Sequence, residues 1–578
     1  MKTSHRIARR HAAVLTVSIA GLAGLAAWND PQDQNDEPLY LARLWTAFGG
    51  GPQRLSHTLP GDSGPSSIVT PRWIKNGDDF ESFEFYGQGG VVTTDELVIV
   101  VGYQAESSAG SPQGPDTAHA EEVPGVGGLD GPATGWSDAA DPDPLLVETR
   151  GQDALVAFSR IDGSVAWSRA VPIAALDSWS TPCVDVLHDT LVIAAGSRVI
   201  GASLADGTTR WSTPLGRIVV NASPVVTHDL GPRNRAFITD HSFASGVSGR
   251  LYCLNTSPFH PTLNPHQPGD LLWSVALDGQ TSGNTPSYKD GVVYVSTATG
   301  GGTWDQGTVR AFPADASAAP APLWVYHHTD PSGFFAGVAI KGQSVYASTY
   351  SFHGDQFSAA TVKLDRHTGQ QLWSVPTNRT DTVPVPLGSG FVLVSGGVPF
   401  TSMFSVFGSL PSIQLIYEQP WGGAVRLWDS AIDTLDDANG NGTWDPGETF
   451  LSVGNWTSQP IVVELPDGRP AAYVASAPDP ALDGFYGSGS ALSLIDLTKH
   501  PAHPDFVIAT SDDCGGSPAL VGSELYAAGR DGLYAFGAPS WPRAVVLARW
   551  ANRTLPDLNG NGVLDGFDFQ IALREARD

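Results

Sequence analysis

The chain has 578 residues, of which 41% are hydrophobic and 16% charged, and its 65 glycines and 44 prolines favour a folded protein with many tight turns. Its 59 Asp and Glu residues outnumber its 32 Lys and Arg residues and give a formal net charge of −27. Because a nucleic-acid partner requires a cationic surface, this balance argues against nucleic-acid binding.

The N-terminus has the pattern of an export signal. An apolar run from Ala12 to Ala27 follows four basic residues, Lys2, Arg6, Arg9 and Arg10. We therefore predict a signal peptide at residues 1–27 and an exported protein that is periplasmic, at the cell surface or secreted. The apolar run is short for a membrane span, which needs about 20 residues. An uncleaved signal anchor is the alternative, and it is the one membrane contact that the sequence suggests.

A lead-in segment, residues 28–79, precedes a repeat that predicts the fold. In three segments that align without gaps a Gly stands four residues before a Trp: Ala157–Trp167, Gly201–Trp211 and Lys363–Trp373. Each Gly follows an Asp or Thr between two apolar stretches. This is the pattern of a β-hairpin in which Gly supplies a positive φ and the Trp lies on the returning strand. Looser copies end at Trp273 and Trp324.

A second element recurs upstream of these hairpins: small residues, often with a proline, then a few apolar residues, a polar turn and an alternating strand. Its eight instances begin at Val91-Val92, Thr181-Pro182, Ser223-Pro224, Thr285-Pro286, Gly337, Pro384, Pro460 and Ser517-Pro518. Each unit thus supplies four short strands, and such units close radially into a ring. The predicted fold is all-β, a β-propeller of eight four-stranded blades over residues 80–545. Seven blades plus an insertion is the alternative, since the sixth unit, Phe391 to Glu418, lacks the Gly-x-x-x-Trp hairpin.

The repeat Ala-x-Asp-x-x-Thr-Gly-x-x-x-Trp resembles the blade signature of quinoprotein-like propellers, whose PQQ-like repeats take their name from pyrroloquinoline quinone (PQQ). Quinone-dependent alcohol dehydrogenases share this signature with non-enzymatic relatives, such as the lipoprotein of the outer-membrane assembly machinery. The segment from Trp45 to Arg54 resembles the lead-in that precedes the first blade in many of these proteins. The resemblance implies that each repeat Trp packs between neighbouring blades. It indicates a fold and leaves the function open.

Two insertions interrupt the repeats. Residues 104–150 form an acidic insertion rich in Gly, Pro, Asp and Ser, and we predict a long loop there. The second, residues 429–456, contains a twelve-residue segment with oxygen-bearing side chains at positions 1, 3, 5, 9 and 12 and Gly at position 6, which is EF-hand spacing. The predicted calcium ligands are Asp437, Asn439, Asn441, the carbonyl of Thr443, Asp445 and Glu448. A turn that binds nothing is the alternative.

The C-terminal segment, residues 546–578, contains a second loop of this kind. Its predicted calcium ligands are Asp557, Asn559, Asn561, the carbonyl of Val563, Asp565 and Asp568, and a short helix is expected from Phe569 to Ala576. The segment resembles one half of a dockerin, the calcium-dependent module that docks enzymes onto cohesin-bearing scaffold proteins. Dockerins normally carry two such loops, and this sequence shows one.

No residue is nominated as catalytic or as binding an organic cofactor. The three cysteines, Cys183, Cys253 and Cys514, are too dispersed for a disulfide framework, and we expect them to be buried as small hydrophobic residues. By resemblance, a quinone dehydrogenase would carry a disulfide between two adjacent cysteines, and none is adjacent here. The sequence therefore predicts an exported, non-catalytic propeller that binds a protein or glycan and has calcium-stabilised loops. The alternatives are a calcium- and PQQ-dependent alcohol dehydrogenase and a cell-surface or scaffold-docked component attached through the C-terminal loop.

Overall fold

The strands of the computed structural model form eight antiparallel sheets, each a blade of one closed β-propeller. The predicted fold class and blade number are confirmed. The structure describes residues 44–57, 63–76, 83–85, 90–104, 152–170, 180–219, 221–241, 247–278, 280–281, 284–299, 306–330, 332–350, 357–397, 409–442, 444–445, 447–477, 489–529 and 532–538, with positions 547, 550, 551 and 570. Among these residues, no helix is long and apolar enough to cross a membrane.

Within each blade the strands follow one another from the innermost to the outermost. In blades 1 and 4 the innermost strand is in two pieces, which pair with the same neighbour. Blade 1 contains β2 (Phe83–Phe85), β3 (Val92–Thr93), β4 (Leu97–Gln104), β5 (Gln152–Ser159) and β6 (Val165–Ala170). Blade 2 contains β7 (Cys183–Asp185), β8 (Thr190–Ala195), β9 (Arg198–Ser203) and β10 (Thr209–Pro214). Blade 3 contains β11 (Val225–Val226), β12 (Arg235–Thr239), β13 (Arg250–Asn255) and β14 (Leu271–Ala276). Blade 4 contains β15 (Gln280–Thr281), β16 (Ser287–Lys289), β17 (Val292–Thr299), β18 (Gly307–Pro313) and β19 (Trp324–His327).

The remaining blades follow the same order. Blade 5 contains β20 (Ala339–Lys341), β21 (Ser344–Ser348), β22 (Ala359–Asp365) and β23 (Gln371–Thr377). Blade 6 contains β24 (Val385–Pro386), β25 (Phe391–Gly396), β26 (Ser412–Glu418) and β27 (Ala424–Asp429). Blade 7 contains β28 (Ile461–Glu464), β29 (Pro470–Ala475), β30 (Gly489–Asp496) and β31 (Val507–Gly515). Blade 8 contains β32 (Ala519–Val521), β33 (Glu524–Ala528) and β34 (Gly532–Phe536). Short 3₁₀ helices in the connections are Val186–His188, Gly231–Arg233, Gly388–Gly390 and Ile432–Thr434.

The fourth strand of blade 8 comes from the lead-in. Strand β1 (Trp73–Asn76) pairs antiparallel with β34, with Trp73 opposite Ala535 and Asn76 opposite Gly532. The two ends of the repeat region are therefore joined in one sheet, which leaves the ring without a free seam. The sequence pattern had not indicated a strand at these residues.

The predicted Gly–Trp hairpins join the third and fourth strands of their blades. Gly163, Gly207 and Gly369 have φ of 65°, 70° and 70°, the left-handed region that the turn requires. A Cβ added at Gly207 would lie 2.6 Å from the ring of Trp167 in the preceding blade. The indole nitrogen of Trp167 donates to the carbonyl oxygen of Leu204 at 2.9 Å. Each repeat Trp therefore packs under the hairpin of the next blade.

The Ser/Thr-Pro elements also connect neighbouring blades. The main-chain N–H of Gly90 donates to Thr181 Oγ1 at 2.9 Å, that of Thr181 to Ser223 Oγ at 2.9 Å, and that of Ser223 to Thr285 Oγ1 at 3.1 Å. Blade 5 has Gly337 at the equivalent position, where a Cβ would approach the carbonyl oxygen of Thr285 to 2.5 Å. The recurring hydroxyl thus links one innermost strand to the next.

The lead-in lies along the inner edges of the blades. Main-chain N–H groups of five innermost strands donate to its carbonyl oxygens: Thr93 to Trp45, Val184 to Thr46, Tyr288 to Pro52, Ile340 to Gln53 and Val462 to Ser56, at 2.7–3.0 Å. These N–H groups would otherwise be unpaired edges of their sheets. The lead-in therefore satisfies hydrogen bonds that the blades cannot make to one another.

At the middle of the lead-in, the side chain of Arg54 is fully buried. Its guanidinium donates to the carbonyl oxygens of Phe48 at 2.6 Å, Pro224 at 3.0 Å and Pro286 at 3.0 Å. Burial lowers the pKa of Arg54 to about 10. The side chain thereby joins the lead-in to blades 3 and 4.

In blade 6 the sequence prediction was wrong about the hairpin. Strands β26 and β27 do form it, through a turn in which the N–H of Gln419 donates to the carbonyl oxygen of Gly423 at 2.9 Å. Trp428, on the returning strand, meets the ring of Phe506 of blade 7 edge to face, with centroids 5.7 Å apart. Because this turn is wider, Trp428 lies five residues after Gly423 instead of four, and the sequence therefore lacks the Gly-x-x-x-Trp spacing here.

Several predicted segments lie outside the described residues. They are the signal peptide 1–27, the insertion within 105–150, Thr443, and the whole Asp557 loop with most of its helix. The three cysteines are buried, as predicted, and none of them is in a disulfide.

Replacing Gly207 by Ala tests the contact between blades. We expect a loss of at least about 2 kcal/mol of unfolding free energy beyond the cost of the positive φ, because the Trp167 ring must move. Gly216→Ala is the matched control, since Gly216 has φ of 80° but no atom within 4 Å of an added Cβ. Urea denaturation of both variants measures the difference, and equal losses would contradict the proposed contact.

The closure of the ring is tested at Glu524. Its carboxylate is fully buried and pairs with Arg160 and, at 3.0 Å, with Arg72 beside β1. Burial alone would lower the pKa of Arg160, but Glu524 raises it above its ordinary value. We expect Glu524→Gln to cost about 3–5 kcal/mol of unfolding free energy, because a buried guanidinium loses its counter-charge. Asp467→Asn, which removes an exposed pair with Arg469, should leave the urea midpoint unchanged.

Candidate functional site

Five of the six predicted ligands of the first calcium loop lie together in the connection between blades 6 and 7. The loop is closed at its base where the N–H of Asp436 donates to the carbonyl oxygen of Thr449 at 2.9 Å. It continues from the 3₁₀ helix Ile432–Thr434, and the N–H of Leu451 donates back to Thr434 Oγ1 at 2.8 Å. The loop therefore projects from a folded base.

The carboxylate of Asp437 organises the first half of the loop. Its Oδ1 accepts from the N–H groups of Gly440 at 2.7 Å and Asn441 at 3.1 Å, and its Oδ2 accepts from Gly442 at 2.7 Å. Gly440 and Gly442 have φ of 73° and 79°. The glycine at position 6 of the template thus makes the sharp turn that the EF-hand spacing requires.

The second half of the loop is organised by Glu448 and Asp445. The two oxygens of Glu448 accept from the N–H groups of Ala438 and Asp445, each at 2.9 Å. Asp445 Oδ2 accepts from the amide nitrogens of Asn439 and Asn441, each at 2.6 Å. Asp445 is thus hydrogen-bonded to Asn439, Asn441 and Glu448. These contacts fold the second half of the loop back onto the first.

The donor set suits calcium, but its present arrangement is closed on the loop's own N–H groups. Within the described residues, no three His, Cys, Asp or Glu side chains are placed to hold one metal ion. The amide nitrogens of Asn439 and Asn441 face Asp445, so both side chains would have to turn their oxygens inward to act as ligands. The residues fit the ion in type and order, but the amides of Asn439 and Asn441 and the carboxylates of Asp445 and Glu448 would have to exchange their present hydrogen bonds for metal bonds.

The insertion also fills the outside of the interface between blades 6 and 7. Val453 packs with Trp428 of blade 6 and Phe506 of blade 7 in one hydrophobic cluster. The N–H of Asn455 donates to Ser395 Oγ of β25 at 3.0 Å, and Asn455 Nδ2 donates to the carbonyl oxygen of Ser476 at 2.8 Å. The loop base is thereby attached to both blades.

The two ends of the ring differ in their connections. Successive strands are antiparallel, so the connection from the second to the third strand lies at one end, which we call the long-loop end. The facing ends of β4 and β5, of β25 and β26, and of β29 and β30 lie there, and the sequence between β4 and β5, 105–151, is the longest connection within any blade. First-to-second connections, at the opposite end, include 94–96, 342–343 and 522–523. The longest second-to-third connections of the sequence therefore leave and re-enter the propeller at the long-loop end.

Comparison with known proteins agrees with the repeat. A family model described as outer membrane protein assembly factor BamB matches residues 137–258 and 240–397. This match supports repeats of the PQQ-like type over these residues. No curated protein matches the chain.

Several solved structures are similar in fold. BamB from Moraxella catarrhalis has 14% identity over 66% of this chain and 90% of its own, with a TM-score of 0.41. A europium-containing methanol dehydrogenase has 12% identity over 88% of this chain and 100% of its own, with a TM-score of 0.45. The quinohemoprotein alcohol dehydrogenase from Comamonas testosteroni has 11% identity over 90% of this chain and 84% of its own, with a TM-score of 0.48. These likenesses carry no functional conclusion.

Calcium binding to the first loop is tested with Glu448→Gln. We expect the full chain to bind Ca²⁺ at this loop with Kd of about 10⁻⁴–10⁻³ M, the range of extracellular modules. The variant should bind at least about tenfold more weakly, because position 12 supplies two oxygens. Fluorescence of Trp444 is a local probe, since its indole nitrogen donates to the carbonyl oxygen of Glu448 at 2.9 Å.

Asp436→Asn is the matched control for this measurement. Asp436 is an exposed carboxylate next to the loop and outside the ligand set. It should leave the calcium titration unchanged. An identical loss of affinity in both variants would indicate a general charge effect and contradict the ligand assignment.

Proposed function

We propose that the protein is an exported, non-catalytic scaffold that binds a protein or glycan at the long-loop end of its propeller. The observation that carries this proposal is the closed ring, in which β4 and β5 hold at that end the two points where the longest connection of the sequence, 105–151, leaves and re-enters the propeller. A rigid ring fixes the positions of such strand ends, and binding residues are concentrated on the connections between strands. The acidic total, −27, favours a partner that is neutral or basic.

Calcium has a structural role in this proposal. The base of the Asp437 loop is attached to Ser395 of blade 6 and Ser476 of blade 7. An ion in the loop would replace the internal hydrogen bonds of Asp445 and Glu448 by metal bonds, and would stiffen the connection between the two blades. The Asp557 loop would do the same for the C-terminal segment.

Export remains part of the proposal. The basic residues and the apolar run within residues 1–27 support it. Attachment to a cell surface or a scaffold protein through residues 546–578 is the alternative proposal, supported by the dockerin-like spacing from Asp557 to Asp568.

One experiment separates the scaffold from a quinone enzyme: an ultraviolet-visible spectrum and metal analysis of the purified mature protein, followed by a dye-reduction assay with added PQQ, calcium and ethanol. We expect bound calcium, no quinone absorbance and no dye reduction. A bound quinone, or alcohol-dependent dye reduction, would overturn the scaffold function in favour of the dehydrogenase. Cell fractionation checks export, and full-length protein in the cytoplasm would contradict it.

A further inference from the structure

A cavity lies between blades 1 and 2, at the end of the ring opposite to the long-loop end. Its volume is about 680 Å³. Residues of four connections line it, two from each blade: 94–96, 160–164, 186–189 and 204–208. Sites that bind small organic molecules typically have volumes of about 300–1,000 Å³. The cavity is therefore large enough to hold such a ligand.

The inner part of the cavity is apolar. Leu44, Ile161 and Leu204 line it and are buried, and Leu97 and Val186 are partly buried beside them. We call these five residues the apolar floor. A ligand that covers this floor removes apolar surface from water, which favours binding. The floor therefore favours a ligand with an aliphatic portion.

Carboxylates lie around the apolar floor. The four charged residues that line the cavity are all acidic: Asp95, Glu96, Asp162 and Asp189. Two of them belong to the β3–β4 connection, one to the β5–β6 hairpin and one to blade 2. We call these four residues the acidic rim. A cavity lined by one sign of charge concentrates ligands of the opposite sign, so this one favours a cation.

The turns that carry the acidic rim are held by hydrogen bonds. The buried guanidinium of Arg160 donates to the carbonyl oxygens of Thr94 at 3.1 Å and Asp95 at 2.7 Å. Asp162 Oδ1 accepts from the N–H of Ser164 at 3.0 Å and from its hydroxyl at 2.8 Å. Burial alone would raise the pKa of Asp162, but these hydrogen bonds hold it below its ordinary value. The rim is therefore fixed in place before a ligand arrives.

Asp189 has a cationic neighbour in the structure. Arg210 pairs with its carboxylate at 3.2 Å, and the two side chains are 38% and 62% exposed. Arg210 also donates to the carbonyl oxygen of His188 at 2.7 Å and to Thr190 Oγ1 at 2.9 Å. Exposed ion pairs are weak, and blade 2 holds the guanidinium by these other bonds. A ligand can therefore bind Asp189 without displacing Arg210 from blade 2.

The carboxylates of the acidic rim do not converge on one point. Within the described residues, no three His, Cys, Asp or Glu side chains are placed to hold one metal ion. Separated carboxylates are matched by a ligand whose positive charges are also separated. A chain of methylene groups between ammonium groups provides this spacing, and it also provides apolar surface to cover the apolar floor.

A bound peptide fits this lining less well. Each of its main-chain amides needs a hydrogen-bond partner. Hydroxyls of the lining are already used inside the turns: Thr94 Oγ1 accepts from the N–H of Leu97 at 3.0 Å, and Ser164 Oγ donates to Asp162 Oδ1 at 2.8 Å. The methylene groups of an amine need no such partners, and its ammonium groups are donors that carboxylates accept.

We propose that the cavity between blades 1 and 2 binds a linear aliphatic polyamine. The methylene segments of the ligand lie on the apolar floor, and its ammonium groups pair with carboxylates of the acidic rim. This site lies at the end of the ring opposite to the connections of the proposed function. It is a second binding activity and does not depend on the first.

The ligand chemistry is tested with spermidine and with 1,8-octanediol, an uncharged chain of the same length. Isothermal titration calorimetry of the full chain should show spermidine binding at least about tenfold more tightly, because only spermidine neutralises the rim. Acetyl-Lys-Gly-Lys-amide represents a basic segment of a partner protein. The proposal is overturned if spermidine and the diol bind equally, if spermidine does not bind, or if the peptide binds more tightly than spermidine.

The acidic rim is tested with the double variant Asp95→Asn, Asp162→Asn. We expect at least about tenfold weaker spermidine binding at an unchanged unfolding midpoint, since each amide keeps the shape of the carboxylate. The matched control is Asp467→Asn, Asp505→Asn, which changes the net charge equally at exposed positions of blade 7. It should bind spermidine normally. An equal loss in both double variants would show a general attraction to an acidic chain, and the assigned site would be wrong.

The cavity itself is tested by filling it with Ala205→Trp. Ala205 is exposed, lines the cavity and stands two residues before the hairpin glycine Gly207. His367, two residues before Gly369, is the equivalent exposed position of blade 5, so His367→Trp is the matched control. We expect at least about tenfold weaker spermidine binding in the first variant and normal binding in the second.

Normal binding by a folded Ala205→Trp protein would contradict the location of the site. Circular dichroism at increasing temperature verifies that both variants are folded. Failure of this site leaves the quinone spectrum and the dye assay of the proposed function unaffected, so the two proposals fail separately.

Discussion

The contact between an indole ring and the hairpin glycine of the next blade sets the geometry of the whole molecule. It fixes the distance between neighbouring sheets, because any side chain at Gly207 would displace Trp167. The indole nitrogen also donates a hydrogen bond to the turn, as from Trp324 to the carbonyl oxygen of Arg366 at 2.9 Å, and this bond fixes the orientation of the ring. Apolar clusters then fill each interface. With the spacing set in this way, eight blades close into the ring.

A second set of contacts joins the lead-in to the innermost strands around the axis of the ring. A ring of blades leaves the inner edge of every innermost strand without a strand partner, and the lead-in supplies carbonyl oxygens to several of these edges. Arg54 of the lead-in acts as a donor instead, because its guanidinium donates hydrogen bonds to carbonyl oxygens of blades 3 and 4. The Ser/Thr hydroxyls complete the pattern between blades. Main-chain groups at the inner edges of the blades are thus paired locally.

Much of this fold could be predicted because its main contacts repeat in the sequence. The Gly-x-x-x-Trp spacing and the Ser/Thr-Pro element each correspond to one contact between neighbouring blades. The number of repeated elements in the sequence therefore predicts the number of blades. Strand β1 could not be predicted in this way, since its pairing with β34 occurs once and joins distant parts of the chain. The predicted ligands of the Asp437 loop are local in sequence, so their spacing could be recognised, but the direction of the Asn439 and Asn441 amides depends on the folded loop.

Strand β1, which the lead-in contributes to blade 8, also determines when the ring can close. Arg72, next to β1, meets Glu524 across 452 residues of sequence, so the N-terminal edge of blade 8 leaves the ribosome long before its partners exist. The ring stays an open arc until β34 is present to pair with β1. Closure of the ring is therefore a late step that brings together distant parts of the sequence. A chain that ends before residue 536 lacks part of β34 and cannot close the ring in this way.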